Sequence, residues 1–264
     1  MLDILQYSFM VRALLAGLLV AITVPVIGGF LVARRYSLIA DSLAHVSLAG
    51  VGAGLLFATS PVAVAIPVTV AGALLLEYLR QNKQISGETS LAILMSGGLA
   101  IAVVLANLAH GANVDFNSYL FGSITTTTSM DLIVLSIAAV VVLVTVAANY
   151  QAFLHIAFDE DSAKIAGYKV QLLNYVLAAL TAVIVVLSLR IVGGLLISAL
   201  LVLPVMTASR FTRSFAQTVL AGVVVAIVSV LAGLVLAFYI GIAAGAAIVL
   251  SALALFIMAL LIKG

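Results

Sequence analysis

The sequence predicts an all-α integral membrane protein, folded as a polytopic bundle of about nine transmembrane helices, with eight as the other possible count. Hydrophobic residues make up 66% of the chain and charged residues only 8%, whereas soluble domains contain about 45–50% apolar and about 25% charged residues. The apolar runs are about 20 residues long, the length of a membrane-spanning helix and about twice that of a membrane β-strand. We therefore expect a lipid bilayer around the whole chain, 1–264, as a single transmembrane domain.

The composition also excludes several kinds of site and partner. The chain has no cysteine, so it has no disulfide framework, no thiolate metal site and no nucleophilic thiol. Its net charge of +2 is too small to predict a nucleic-acid partner. The sequence contains no G-x-x-x-x-G-K-[ST] phosphate loop, and no Ser–His–Asp or H-E-x-x-H arrangement indicates an enzyme. Any ATP-driven step therefore requires another chain, and no nucleotide-binding domain is predicted here.

The predicted spans are apolar runs separated by polar or charged breaks. In chain order they are Phe9–Val32, Ser37–Ala58, Val62–Leu79, Thr89–Leu108, Leu132–Ala152, Leu172–Leu189, Ile191–Ala208, Phe215–Ile240 and Ala244–Ile262. The first contains Pro25 and the pair Gly28-Gly29, which we expect to loosen it. The sixth and seventh are separated only by Arg190, which divides an otherwise continuous apolar run. Without that division the count is eight.

The longest polar segment, residues 109–131, differs from an ordinary loop. It contains no Lys or Arg, and its core reads Tyr119-Leu120-Phe121-Gly122. This core is too apolar for a plain loop and too short to span a bilayer. We interpret it as a short re-entrant or interfacial piece, since irregular backbone at membrane depth has to be sheltered by other helices.

A second unusual segment, residues 158–169, is the most highly charged stretch of the chain. Asp159, Glu160 and Asp161 stand at its start, where acidic residues favour a helix N-terminus. Gly167 stands where a helix-ending glycine is common. A short helix is therefore predicted here, and it carries too little apolar surface to be a span.

The distribution of Lys and Arg predicts the orientation, because these residues stay on the cytoplasmic side. With nine spans and the N-terminus outside, only Arg12 and Arg190 lie outside. The cytoplasmic set is Arg34, Arg35, Arg80, Lys83, Lys164, Lys169, Arg210, Arg213 and Lys263. The C-terminus and residues 158–169 are then cytoplasmic. Glu77 and Arg80, three residues apart at the end of the third span, are interpreted as an interfacial pair.

One pair of ionisable residues lies deep inside a span. Asp41 and His45 stand four residues apart in the second span, so they share one helix face about one turn apart. With Arg35 at the membrane surface, a rise of about 1.5 Å per residue places His45 about 15 Å deep, near the middle of a core about 30 Å thick. Such groups are costly in lipid and by default mark an ion path or a relay. The alternative is a pair that only satisfies itself between packed helices.

A carboxylate and an imidazole suit Zn²⁺, Mn²⁺ or Fe²⁺. Two ligands are too few for zinc, which normally takes four, and a two-fold dimer with the second spans facing its axis would supply two Asp and two His. His110 and His155 are interpreted as solvated or interfacial residues. A rival function is a proton- or ion-coupled secondary carrier with Asp41 and His45 as the relay. A purely structural membrane anchor is disfavoured by the buried charges.

The stretch Arg34–Gly50 resembles the membrane permease subunits of bacterial zinc/manganese/iron ABC transporters. The shared signature consists of Arg34, Arg35, Leu38, Asp41, His45 and Gly50. The likeness extends along nearly the whole chain, through Tyr119-Leu120-Phe121-Gly122, the acidic segment that ends at Gly167, and Pro204. Many members have Pro where this chain has Ala49, and the sequence from His45 to Gly50 looks more like the zinc branch than the manganese branch.

The resemblance implies a homodimeric transport subunit, not an enzyme, in the bacterial inner membrane. Its implied partners are a cytoplasmic ATP-binding subunit, which holds the ATP, and an extracytoplasmic protein that delivers the metal. The implied cargo is a divalent metal, zinc before manganese or iron, with no permanently bound cofactor. The resemblance places the metal path at Asp41 and His45. It makes the cytoplasmic helix the ATPase-coupling element, with Asp159, Glu160, Asp161, Lys164 and Gly167.

Overall fold

The computed structural model describes residues 6–82, 85–109, 116–123, 127–189, 191–194 and 197–262. Within these ranges every regular element is a helix. In chain order the helices are α1 (Ser8–Ala33), α2 (Ile39–Leu56), α3 (Pro61–Asn82), α4 (Gly87–Leu108), α5 (Phe116–Phe121), α6 (Ser129–Ala148), α7 (Tyr150–Phe158), α8 (Glu160–Ile165), α9 (Val170–Ser188), α10 (Ile197–Ser209), α11 (Phe215–Ile240) and α12 (Ala244–Ile262).

Eight of the described helices are long and apolar enough to cross a bilayer: α1, α2, α3, α4, α6, α9, α11 and α12. The all-α membrane class is therefore confirmed. The last two spans have the bounds that the sequence predicts, because the breaks before Phe215 and after Ile240 are sharp. The ninth apolar helix, α10, has only 13 residues.

The seventh predicted span is wrong in its first part. Its helix begins at Ile197 and not at Ile191, and residues 191–194 form a turn. Gly193 has φ +87°, and a Cβ there would lie 2.5 Å from the carbonyl oxygen of Leu120. The backbone leaves the helical path because a second chain segment approaches it closely here. At about 1.5 Å per residue, α10 is about 20 Å long, shorter than the hydrocarbon core. Arg190, on which the count depended, lies outside the described residues.

The segment that approaches this turn is the one interpreted as re-entrant or interfacial. Its short helix α5 contains Tyr119, which is buried, and the Tyr119 carbonyl accepts a 2.8 Å hydrogen bond from the backbone N–H of Gly194. On another side, a Cβ on Gly245 of α12 would lie 2.7 Å from the Phe121 carbonyl oxygen. The bundle thus shelters irregular backbone at this end, as such backbone in a membrane protein requires.

Two further features depart from prediction. The fifth span ends at Ala148, four residues early, where the Asn149 side chain turns back to the Thr145 carbonyl (2.9 Å), and a separate helix, α7, begins at Tyr150. The first span is not loosened by its glycines: α1 is continuous through both. A Cβ on Gly28 would lie 2.5 Å from the Leu201 carbonyl oxygen, so this glycine serves close packing of α10 on α1.

The helix that carries Asp41 and His45 lies at the centre of the bundle. In α2, 72% of the spanning stretch is buried, the largest share of any span, and α1 follows with 67%. Gly50 of α2 packs on α3, where a Cβ would lie 2.6 Å from Ala65 Cα. Small residues let membrane helices approach one another this closely. Side chains on a central helix face other helices, so a polar group there is dehydrated.

The bundle has two distinct ends, which we call the α8 end and the α5 end after the short helices they carry. The ring of Phe158, next to α8, lies 6.1 Å from the ring of Phe215 at the start of α11. The described basic residues at the α8 end are Arg34, Arg35, Arg80, Lys164, Lys169, Arg210 and Arg213. Arg12 lies near the other end, one turn into α1. Lys83, Arg190 and Lys263 lie outside the described residues.

Candidate functional site

Asp41 and His45 lie on the first two turns of α2, as the i, i+4 spacing predicts. His45 is buried, with 6% of its surface exposed, and Asp41 is half-buried. The Nδ1 atom of His45 has no hydrogen-bond partner. Since buried polar atoms are nearly always paired, this imidazole nitrogen is the feature of α2 that indicates a ligand. The unpaired nitrogen also argues against the alternative that Asp41 and His45 only pair with each other between packed helices.

The surroundings of His45 are fixed by close backbone packing. A Cβ on Gly98 of α4 would lie 2.9 Å from the His45 carbonyl carbon and 2.8 Å from the Val46 nitrogen. On the other side, Ala44 lies beside the turn 191–194, where a Cβ on Gly194 would lie 3.8 Å from Ala44 Cβ. The α5 segment and its partner turn therefore lie next to the His45 turn of α2. Sequence spacing does not reveal this neighbourhood, because the segments are far apart in the chain.

Within the described part of the chain, no third His, Cys, Asp or Glu joins Asp41 and His45 in a group that could hold a metal ion. One copy of the chain offers two protein ligands there, a carboxylate and an imidazole. Zinc normally takes four ligands in a closed site and three in an open one. His155 is exposed in α7, with its ring 5.5 Å from that of Tyr168, as expected of a surface histidine. His110 lies outside the described residues.

The predicted acidic helix is present as α8, and both of its ends form as expected. The Asp159 carboxylate accepts hydrogen bonds from the backbone N–H groups of Asp161 (3.0 Å) and Ser162 (3.1 Å), which makes Asp159 the N-cap. Hydrogen bonds from the Ser162 hydroxyl and from these N–H groups lower the pKa of the Asp159 carboxyl. Lys164 pairs with Asp161 at 2.9 Å on the exposed face, which contributes little to stability.

At the other end of α8, Gly167 adopts φ +85°. The Gly167 N–H donates to the Lys164 carbonyl (3.0 Å) and the Tyr168 N–H donates to the Ala163 carbonyl (3.1 Å), which is the Schellman pattern. A Cβ on Gly167 would meet nothing within 4 Å. Glycine is therefore needed here for its left-handed backbone and not for space.

Glu160 is the charged member of α8 that contacts the bundle, beside the buried Ala163. Its Oε1 accepts from Arg34 Nη2 and from Arg80 Nη2 (3.0 Å), and the Asn174 amide of α9 donates to it at 3.2 Å. Burial raises the pKa of Glu160, but the charges of Arg80 and Arg34 outweigh burial and hold it below its usual range. Arg80 also binds Glu77 at 2.6 Å. We call Arg34, Glu77, Arg80 and Glu160 the charged cluster.

The charged cluster extends one interpretation of the sequence. The predicted Glu77–Arg80 pair exists, but it is buried in protein contacts, since Glu77 is only 2% exposed and Arg80 also reaches Glu160 of α8. Sequence analysis also missed the contact between Arg34 and Glu160, which are 126 residues apart. The sequence held only a weak signal for this contact. Glu77 stands beside Arg80 at the end of an apolar span, and the nearby Arg34 has no acidic neighbour in the sequence to neutralise it.

Comparison with known proteins identifies the chain. The model of the ABC 3 transport family matches residues 6–263. The chain belongs to this family. It is therefore a membrane permease subunit and not an enzyme, and ATP hydrolysis takes place on a separate subunit of such transporters. The permease is a multi-span protein of the bacterial inner membrane.

Three relatives illustrate the range of the family. The permease is 30% identical to the high-affinity zinc uptake system membrane protein ZnuB of Haemophilus influenzae over 97% of this chain and 98% of that protein. It is 31% identical to the manganese transport system membrane protein MntC of Listeria monocytogenes over 98% and 92%. Among solved structures, PsaBC from Streptococcus pneumoniae in complex with Fab superimposes with a TM-score of 0.87, 27% identity, and coverage of 98% and 93%.

Proposed function

We propose that this permease imports a divalent transition metal, with zinc as the preferred cargo, and that Asp41 and His45 bind the ion on its way through the bundle. The observation that carries the proposal is the unpartnered Nδ1 of buried His45, one helical turn from a carboxylate on the central helix. Ionisable groups buried within a membrane bundle are costly and mark transport paths. A carboxylate and an imidazole are donors that zinc, manganese and iron accept.

The choice of zinc rests on the His45–Gly50 segment, which looks like the zinc branch. The zinc and manganese relatives are almost equally similar, at 30% and 31% identity, so overall similarity does not favour either metal. A competition assay distinguishes them. Uptake of radioactive zinc should be suppressed by excess unlabelled zinc more strongly than by the same excess of manganese or iron.

The proposed site is completed by a second copy of the chain. Asp41 and His45 supply two ligands, and a homodimer supplies four, the number that zinc normally takes. Asp41 is half-buried in the single chain, so part of its surface is free for such a contact. A cross-linked or mass-determined dimer that binds one ion between its subunits would support this arrangement, and one tightly bound ion per monomer would contradict it.

The proposed ATPase partner docks on α8. Ile165, on the last turn of α8, is 88% exposed, and Phe158, just before it, is 70% exposed. These large apolar side chains lie beside the exposed charges of Asp161 and Lys164, at an end of the bundle rich in basic residues. That end is cytoplasmic by the positive-inside rule, which puts the N-terminus outside and the C-terminus inside. A second permease partner, an extracytoplasmic metal-binding protein, would then meet the α5 end.

Metal uptake by cells or proteoliposomes that contain the permease, its ATPase and its binding protein tests the function. Asp41→Asn and His45→Ala should each abolish uptake while the protein still inserts and assembles. Removing a direct ligand is expected to lower metal affinity and uptake by more than the roughly 10–100-fold seen when a group that supports a metal ligand is removed. The matched control is His155→Ala, which removes an exposed histidine outside the site and should transport normally. Normal uptake by both site variants would refute the proposed path.

Cysteine labelling tests the orientation, and the chain is suited to it because it has no native cysteine. A cysteine at Ser129, at the start of α6, should react with an impermeant reagent from outside. Cysteines at Asn82 and Ser162 should react only from inside. Labelling of the Asn82 variant from outside would reverse the orientation and would remove the ATPase from α8.

A further inference from the structure

The charged cluster joins α8 to three other parts of the bundle. Glu160 of α8 contacts Arg34 in the connection between α1 and α2, Arg80 near the end of α3, and Asn174 on α9. The side chain of Arg34 is only 9% exposed and that of Glu160 29%. These side chains, together with buried Ala163, which packs with Ile156 and Val170, hold the short acidic helix against the bundle.

The Arg34 end of this contact lies in the short connection between α1 and α2. The backbone N–H of Arg34 donates to Phe30 (3.2 Å) and that of Tyr36 to Leu31 (2.8 Å), so the connection folds back on the end of α1. Tyr36 is buried, and its ring lies 3.2 Å from where a Cβ on Gly87 would stand. At its other end, the N–H of Ile39, the first residue of α2, donates to the Tyr36 carbonyl (3.3 Å). A short hydrogen-bonded connection therefore joins Arg34 to the first turn of α2, which carries Asp41.

Glu160 carries the negative charge that both arginines share. The charged cluster contains two acids and two arginines, and Glu77 is occupied by Arg80 and by Gln81 (2.6 Å). Without the Glu160 carboxylate, Arg34 would keep its charge in a mostly buried position with no acid in contact. Breaking a buried ion pair from one side is costly because the remaining charge is uncompensated.

We infer that Glu160, Arg34 and Arg80 form the link by which movement of α8 is transmitted to the α2 helix that holds Asp41 and His45. The inference rests on the proposed function, in which α8 is the ATPase docking helix and α2 carries the metal. Glu160 and Arg34 are positioning residues here, since neither contacts the metal. Phe158 and Ile165, the exposed residues of the proposed docking face, take no part in the charged cluster, so docking and transmission are separable by mutation.

The test compares Glu160→Gln and Arg34→Gln in the assembled transporter. Each should keep ATPase co-purification and zinc binding within about twofold, but should lower the ions transported per ATP hydrolysed by about tenfold, in the range of typical coupling energies between sites. The double variant should be no worse than either single variant, because both changes break one link. Glu160→Asp should recover part of the transport, since it restores the charge on a shorter side chain.

Arg35→Gln is the matched control. Arg35 is the neighbouring arginine of the same connection, it is exposed, and no described residue forms an ion pair with its side chain. It should transport within about twofold of the unchanged protein. The inference is overturned if Glu160→Gln transports normally, if the Arg34 and Glu160 effects add, or if Arg35→Gln is equally impaired. A different result, no metal uptake by the unchanged protein with its ATPase, would refute the proposed function and not the link.

Discussion

The two buried groups of ionisable residues in this permease differ in one respect. In the charged cluster, Glu160 is hydrogen-bonded to Arg34 and Arg80 from other segments, and Glu77 to Arg80 on its own helix. On α2, the Nδ1 of His45 has no partner, and no described residue forms an ion pair with the Asp41 carboxylate. Both groups bear the cost of leaving water. Charges that neutralise one another hold helices together, whereas a dehydrated nitrogen without a partner is suited to bind something that the chain does not supply.

The largest expected effect that tests this comparison is a loss of folding stability on mutation. Glu77→Ala removes a 2% exposed acid that binds Arg80 and Gln81, so it should lower the free energy of unfolding by about 3–5 kcal/mol. His45→Gln, at another buried position, removes no partner of Nδ1 and keeps most of the volume, so it should cost much less. Thermal unfolding in detergent measures both. Equal losses would mean that His45 is a structural group.

A second, smaller effect tests the comparison by adding zinc, which we expect to bind at Asp41 and His45. Zinc at about 100 times its Kd should raise the free energy of unfolding of the purified permease by about 2.7 kcal/mol, because the ion binds the folded protein. The rise in unfolding temperature should vanish in His45→Gln and persist in Glu160→Gln. If His45→Gln kept the full rise, the ion would bind elsewhere in the chain.

The smallest effect on stability is expected at the end of α8. Gly167→Val forces a Cβ-bearing residue into a left-handed conformation, at a cost of about 1–2 kcal/mol, with no clash because the space is open. The variant should bind zinc normally but should associate more weakly with the ATPase and should not transport, as measured by co-purification and uptake. Gly167→Asn should lose less, since Asn tolerates this backbone better. Retention of ATPase and normal transport by the Val variant would exclude α8 as the coupling element.

Much of the candidate site could be predicted because it is encoded locally. The i, i+4 spacing of Asp41 and His45 determines that they share a helix face. Asp159 caps α8 and Gly167 ends it through contacts within a few residues. The roles of these residues in metal transport and ATPase coupling stay predictions. The burial of Glu77 could not be predicted from the sequence. An acid near the end of a span has the same neighbours in the sequence whether it faces the membrane surface or the inside of the bundle.

By itself the sequence determined the membrane class, the positions of most spans and the residues of the α2 pair, because hydrophobic length and helical periodicity are properties of about 20 consecutive residues. Tertiary structure alone decided the late start of α10, where Gly193 meets the backbone of Leu120, and the pairing of Arg34 with Glu160 across 126 residues. Both features depend on contacts between segments that are far apart in the sequence and that meet only in the folded protein. The gain from a buried ion pair or a close backbone contact exists only once both partners are in place.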